Sequence, residues 1–313
     1  MKSFSPFYVK VPGSTANLGP GFDSIGMAVN CFLTLYLEPA ARLDITVGGK
    51  HSSGISVQSD NFIVQVMRKL FEKEGVEMPP FHLHIKNDIP LARGLGSSAA
   101  AIVAGLLAAD HLLETEWSQK ELLKKATILE GHPDNVGASL FGGIVISSWD
   151  GKEVEVATCE PPDIPVITII PEQRLSTGTA RKALPEDYSR HDAVLSSSRA
   201  NLLVAALFLK KWDLLKTAMQ DAFHQPYREM LVPGLKEGLK KATDHGAYGI
   251  ALSGAGPTMI AFVKDKVQLK KFFYELFSNL QVSVEMLEMT PCHTGAHIVL
   301  TAEEKHSKFM GKI

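Results

Sequence analysis

The sequence predicts a mixed α/β or α+β protein in two lobes. Two observations carry this. Stretches of period-2 hydrophobicity alternate with stretches of helical period along the chain, and the pattern restarts near Asp150. A boundary near residue 155 gives lobes 1–155 and 156–313, and a length of 313 residues accommodates one large domain or two medium ones.

In the first lobe, FYVKVPG alternates as a strand does. So do CFLTLYLEP from Cys31, LDITVGG, and FHLHIKN from Phe81. Before the last of these, DNFIVQVMRKLFEKEG (60–75) reads as a helix that Asp60 would cap and Gly75 would stop. Two helices follow Gly94, over 97–113 and 118–129, and GGIVISSW is a further strand. In the second lobe IPVITIIP reads as a buried strand, followed by helical segments over 192–210, 212–223 and 235–245. YGIALSGAGPTMIAFVK, the helix VQLKKFFYELFSNL, and the strands QVSVEMLEM and HIVLTA complete the pattern. The stripe FFYELF is helix core, and residues 304–313 read as a frayed, solvated tail.

Composition narrows the function classes. A net charge of −2 argues against a nucleic-acid binder, which carries a basic excess. Cys31, Cys159 and Cys292 are few, scattered and odd in number; they make no disulfide framework and suit a reducing compartment. The N-terminal MKSFSPFYVKVPGS lacks a signal peptide's apolar core. The longest apolar run, AAAIVAGLLAA, is too short to span a bilayer. The expected setting is the cytoplasm, with no membrane partner.

PLARGLGSSAAAIVAGLLAADHLL places a glycine-rich loop at the mouth of an apolar helix. Glycines let the backbone turn sharply and approach a ligand, and a helix N-terminus presents unpaired N–H groups and a positive dipole end. Together they make a phosphate cradle. Gly94 and Gly96 would shape the loop, Ser97 and Ser98 open the helix, Ala99 and Ala100 let its first turn pack closely, and Arg93 adds charge. No Gly-Lys-Ser/Thr follows, so this is not a Walker A loop. Gly94, Gly96 and Ala99 also fit a dinucleotide-type G-x-G-x-x-A, the basis of a rival reading as a nicotinamide dehydrogenase. DIPLAR separates them from the preceding strand, and no suitable acid ends a following strand. His82 and His84 share a strand face without an evident third ligand, and CHTGAH fits no zinc spacing.

Two further glycine-rich segments frame the loop: PGSTANLGPGFDSIGMAV from Pro12 and SGAGPTMIAF from Ser253. In this order the three segments resemble the GHMP kinase superfamily, named for galactokinase, homoserine kinase, mevalonate kinase and phosphomevalonate kinase. The resemblance implies a two-lobed α+β fold. Its N-terminal lobe would be ribosomal protein S5 domain 2-like. Its C-terminal lobe would be ferredoxin-like, built from IPVITII, IALSG, MIAFV, VSVEML and HIVL. ATP would be held by the loop Pro90, Leu91, Ala92, Arg93, Gly94, Leu95, Gly96, Ser97, Ser98, Ala99 and Ala100, with adenine near 60–64 and Asn61.

Within the superfamily, STANLGPGFDSIG, EGHPDNVGASLFGG, STGTARKALP and HQPYREMLVPGL are most similar to the homoserine kinases. The similarity implies transfer of the ATP γ-phosphoryl group to L-homoserine, giving O-phospho-L-homoserine on the way to threonine. Asn17 and Asp23 would face the amino acid, and Arg181 and Arg228, with Thr177 nearby, would grip its carboxylate. Paired guanidinium hydrogen bonds suit that group. Ser98 and Glu130 would hold Mg²⁺, while His132, Asp134 and Asn135 shape the substrate pocket. The implied catalytic set is Asp23, Ser98, Glu130 and Asn135. Asp23 and Asp134 are candidate bases, although a loose transition state can dispense with one. Resemblance also implies a homodimer. The alternatives are a kinase for another small alcohol such as mevalonate, and a non-catalytic nucleotide-binding protein of the same fold.

Overall fold

The computed structural model describes residues 4–300, and the tail at 304–313 lies outside them. β1 (Phe7–Asn17) and β2 (Gly21–Pro39) form a long antiparallel pair, followed by β3 (Asp44–Gly48), α1 (Phe62–Lys73) and β4 (Phe81–Asn87). Then come α2 (Ser97–Leu113), α3 (Gln119–Glu130), α4 (Pro133–Phe141), β5 (Ile144–Trp149) and β6 (Val154–Cys159). The chain continues through β7 (Val166–Pro171), α5 (Thr177–Lys182), α6 (Arg190–Phe208), α7 (Leu215–Ala218), α8 (Gln225–Arg228) and α9 (Leu235–Lys241). It ends with β8 (Ala247–Leu252), β9 (Met259–Val263), α10 (Lys266–Leu280), β10 (Val284–Met289) and β11 (His297–Leu300).

Two sheets organise these elements. A seven-stranded sheet runs β11–β1–β2–β4–β3, with β5 and β6 continuing from the first half of β2. β2 is long enough to pair with β5 over 25–27 and with β4 over 33–39. α2 and α4 pack on β1, and α1 and α3 pack on α2. α2 is apolar nearly all round because it lies inside this layer, with Ala99, Ala100 and 102–109 buried. The second sheet is antiparallel, in the order β10–β7–β9–β8.

That second sheet is covered on both faces, and strand alternation makes this possible. Val166 and Ile170 of β7, with Ile260 and Phe262 of β9, join the core that fills the first lobe. Ile167, Ile169, Met259 and Ala261 face the opposite way, against Phe273 and Phe277 of α10 and Leu235 of α9. The lobes thus share one continuous core, while a smaller one sits beneath the C-terminal helices.

Several expectations change. Asn61, not Asp60, caps α1, its side chain accepting from the N–H of Ile63 and Val64, while Asp60 accepts from Ser56. Ser118 precedes α3 in a capping box with Glu121. PDN, which suits a turn, instead opens α4, with Pro133 in its first turn where a missing N–H costs nothing. The 212–223 segment is only a 3₁₀ turn and the short α7, after which Asp221 binds three successive backbone N–H groups at 223–225. Residue 155 falls within β6, so the chain leaves the first sheet after Cys159. HIVL is not in the second sheet. As β11 it returns to pair with β1, because a short terminal strand can add to whichever edge is open.

Candidate active site

A cavity of about 520 Å³ opens where the glycine-rich loop, the β1–β2 turn, α5, α8 and the 253–257 turn converge. At one end, Gly96 caps α2 in the left-handed region (φ 69°), where a Cβ would collide with Ser14. Gly94 (φ 76°) lies so close to the Ser253 carbonyl that no side chain would fit. These approaches are held by bonds between the three segments. Ser14 N–H donates to Leu95 O (3.2 Å), Thr258 N–H to Arg93 O (3.3 Å), and Ser253 Oγ to Gly94 O (2.5 Å), which leaves Ser253 Oγ to accept from Thr15 Oγ1 (2.8 Å). The first helical bond of α2 runs from Ala100 N–H to Gly96 O, so the N–H groups of 97–99 precede the ladder and point toward the loop mouth.

Ser98 Oγ donates to Glu130 Oε2 at 2.9 Å. Burial raises the Glu130 pKa, with His132 and the Ser98 hydrogen bond pulling the other way. A carboxylate that burial penalises beside a hydroxyl is a hard oxygen pair suited to a divalent cation. His132 Nδ1 and Asp134 Oδ1 lie 2.5 Å apart, and Asp134 Oδ1 also accepts from Asn135 N–H. Burial alone would lower the His132 pKa. The hydrogen bond and charge of Asp134, with Asp23 and Glu130, outweigh it and raise the pKa. Asp23, His132 and Asp134 bring ligand atoms within 4.8 Å of one another, but His132 and Asp134 hold each other and Asp23 is taken by an arginine.

That arginine is Arg181, 158 residues away in the chain. Its Nη1 and Nη2 reach the two oxygens of Asp23 at 3.0 and 2.7 Å, both side chains half-buried. Asn17 (φ 70°) accepts from Asp23 N–H and donates to Gly254 O, which orients this end of β2. Arg228 is only 2% exposed, not the surface residue its helical context would suggest. Its Nε donates to Ala180 O, and its Nη1 to Gly254 O and to His224 Nδ1. Burial, with Arg181 nearby, pulls its pKa down to about 10. Both guanidinium groups lie over the ring of Phe22, at 5.6 and 5.7 Å.

Of the residues singled out from sequence, Asn17, Asp23, His132, Asp134, Asn135, Thr177, Arg181 and Arg228 line this one cavity, as do Ser98 and Glu130. Leu91, Ala92, Gly94, Gly96 and Ser97 line it too. Pro90, Arg93, Leu95, Ala99 and Ala100 do not. Leu95, Ala99 and Ala100 are fully buried behind the loop, and Arg93 has an Nη1 that is buried without a hydrogen-bond partner. Asn61 lines the cavity, yet its polar atoms serve the α1 cap and Ser56 O. Sequence reasoning missed Ser14, Phe22, Asp221 and His224. Each lies within or near a segment that attracted attention, but a serine in a strand or a phenylalanine in a glycine-rich turn carries no spacing signal. Away from the cavity, His82 and His84 both meet Thr46 Oγ1, and His293 meets Glu160.

Comparison with known proteins fits this geometry. Residues 61–143 match the GHMP kinases N terminal domain, and residues 203–281 match GHMP kinases C terminal. The chain is 42% identical over 289 residues to a homoserine kinase of Carboxydothermus hydrogenoformans, covering 92% of this chain and 95% of that one. It is 46% identical over 259 residues to that of Bacillus licheniformis, covering 82% and 85%. The crystal structure of homoserine kinase from Cytophaga hutchinsonii aligns with a TM-score of 0.81 and 27% identity, over 96% of this chain and 99% of that one. L. major mevalonate kinase, at 14% identity and a TM-score of 0.63 over 94% and 98%, shares the fold alone. A two-lobed fold with a glycine-shaped helix mouth facing paired arginines is a small-molecule kinase of the GHMP superfamily. Within that superfamily the chain belongs to the homoserine kinase family.

Proposed function

We propose that this chain transfers the γ-phosphoryl group of ATP to the side-chain hydroxyl of L-homoserine, releasing O-phospho-L-homoserine for threonine synthesis. The observation that carries the reading is one cavity with two chemically distinct ends. The loop at Gly94 and Gly96, with the free N–H groups of α2, meets phosphates; Asp23, Arg181 and Arg228 meet a small zwitterion. In the structure Asp23 and Arg181 satisfy each other. A substrate with both an ammonium and a carboxylate can part them without leaving either charge unpaired, which a lone hydroxy acid cannot do.

Ser98 and Glu130 would hold Mg²⁺, which when bound neutralises charge on the phosphates. Asn17 keeps Asp23 turned into the cavity, and His132, Asp134 and Asn135 fix the wall between the two ends. Positioning and charge complementarity do most of the work in phosphoryl transfer, so no side chain is assigned as base. Among the described residues no helix is long and apolar enough to cross a membrane. The three cysteines are free, which supports a cytoplasmic setting, and the net charge of −2 supports a partner list without nucleic acid. Family membership supports a homodimer, which light scattering would test. The decisive assay is coupled ADP release with L-homoserine, with and without Mg²⁺, on this chain and on Ser98→Ala. Turnover of mevalonate but not of homoserine would overturn the assignment.

A further inference from the structure

His224 is fully buried, and its Nε2 lies 3.5 Å from Oδ2 of Asp221. It sits at the N-cap of α8 without a side-chain cap bond, because Asp221 already binds the N–H groups of Phe223, His224 and Gln225. Its ring instead joins two parts of the substrate end. Nε2 lies 2.8 Å from Gly19 O in the β1–β2 turn, and Nδ1 lies 3.1 Å from Arg228 Nη1. A guanidinium only donates and a carbonyl only accepts. Nδ1 is therefore the acceptor, Nε2 carries the proton, and the ring is neutral. Burial lowers its pKa and, with the Arg228 charge, outweighs the opposing pull of Asp221, consistent with that form. One face of the ring stacks on Phe22 at 5.2 Å, and Phe22 lines the cavity.

The consequence falls on Arg228. Its Nε and Nη1 are engaged by Ala180 O, Gly254 O and His224 Nδ1, which leaves Nη2 as the guanidinium nitrogen with no protein acceptor among the described residues. We propose that His224 is a positioning residue: its Nδ1 holds the Arg228 guanidinium at one rotation, so that the Nη2 edge faces the carboxylate of the amino-acid substrate. The proposal rests on the homoserine reading of the cavity. Without the ring acceptor, Nη1 would lose a buried partner and the planar group could pivot about its Nε bond, and a planar donor recognises a carboxylate only when correctly aimed.

Three substitutions test this, with KM and kcat measured for both substrates. His224→Asn keeps an acceptor near the place of Nδ1 while losing the donor to Gly19. His224→Gln reaches toward Gly19 and leaves Arg228 without the ring acceptor. His224→Phe keeps the stacking and loses both bonds. The expected result is a homoserine KM raised about tenfold or more in the Phe and Gln variants, an ATP KM within about twofold, and an Asn variant within about threefold of the unsubstituted protein. Equilibrium binding of 3-amino-1-propanol, which is homoserine without its carboxylate, should shift by less than about twofold in all three. If the Phe variant fails to fold, the contrast between Asn and Gln decides. Asn and Gln variants that behave alike, a reversed order, or ATP and homoserine constants that move together would overturn the positioning role while leaving the activity intact. Absence of homoserine turnover in the unsubstituted chain would overturn both readings.

Discussion

At the end of the cavity proposed to take phosphates, the backbone donors belong to one short stretch around Gly94 and Gly96 and to the first turn of α2 that follows it. At the end proposed for the amino acid, Asp23 and Arg181 meet across 158 residues, and Asn17 reaches Gly254 across 237. The first end uses mostly main-chain atoms, whose direction the local backbone sets, beside the one side-chain pair of Ser98 and Glu130. The second uses side chains, whose direction depends on partners brought from four segments of the chain. Substitutions at the first end should therefore act on phosphoryl transfer whatever the alcohol. Those at the second should act on which alcohol is accepted.

The largest expected effect breaks the first end. Glu130→Gln removes a charge from the pair with Ser98, and kcat should fall by about 10²–10³-fold with the homoserine KM within a few-fold. Steady-state kinetics at saturating ATP would check this, and a change confined to homoserine KM would place Glu130 at the wrong end. Next comes substrate charge. 4-Hydroxybutyrate, which lacks the ammonium, should show kcat/KM about a hundredfold or more below that of homoserine, because it offers Asp23 no replacement for Arg181. Equal turnover of the two would remove the zwitterion argument.

Asp23→Asn sharpens the same contrast on the protein side. Homoserine KM should rise about tenfold, with kcat falling by well under a hundredfold. A general base contributes about 10²–10⁴-fold, so a larger loss in kcat would recast Asp23 as the proton acceptor. The smallest effect concerns the wall between the ends. The folded pKa of His132 is raised above its ordinary 6.5, chiefly through Asp134 overcoming burial. Its stabilising contribution is complete below the unfolded value and is lost as pH rises through the folded one. The thermal-midpoint gap between the protein and His132→Gln should be widest below 6.5 and narrow at higher pH. A gap that widens with pH would contradict the sign.

The contrast between the two ends also explains what could be read in advance. α2 was legible as 97–113 because its apolar run, its glycine mouth and its length are all properties of consecutive residues. α4 was not, because PDN suits a turn as well as a helix start, and burial against β1 and β2 decides between them. HIVL has the pattern of a strand, but period 2 identifies a strand without choosing its neighbour, and its pairing with β1 is a tertiary outcome. The capping of α1 moved by one residue, from Asp60 to Asn61, since both are good capping types and only the entry angle of the chain separates them.

By itself the sequence determined the elements, the glycine loop and, through ordered motifs, the kind of kinase this chain resembles. Hydrophobic period, helix capping and left-handed glycine positions are set within a few residues, so they are written locally. Only the tertiary structure decided that Arg181 clasps Asp23, that Arg228 is buried, and that His224 turns its ring to both Gly19 and Arg228. A charged or aromatic side chain has no fixed meaning until packing sets its dielectric surroundings and its partners, and those come from distant parts of the chain.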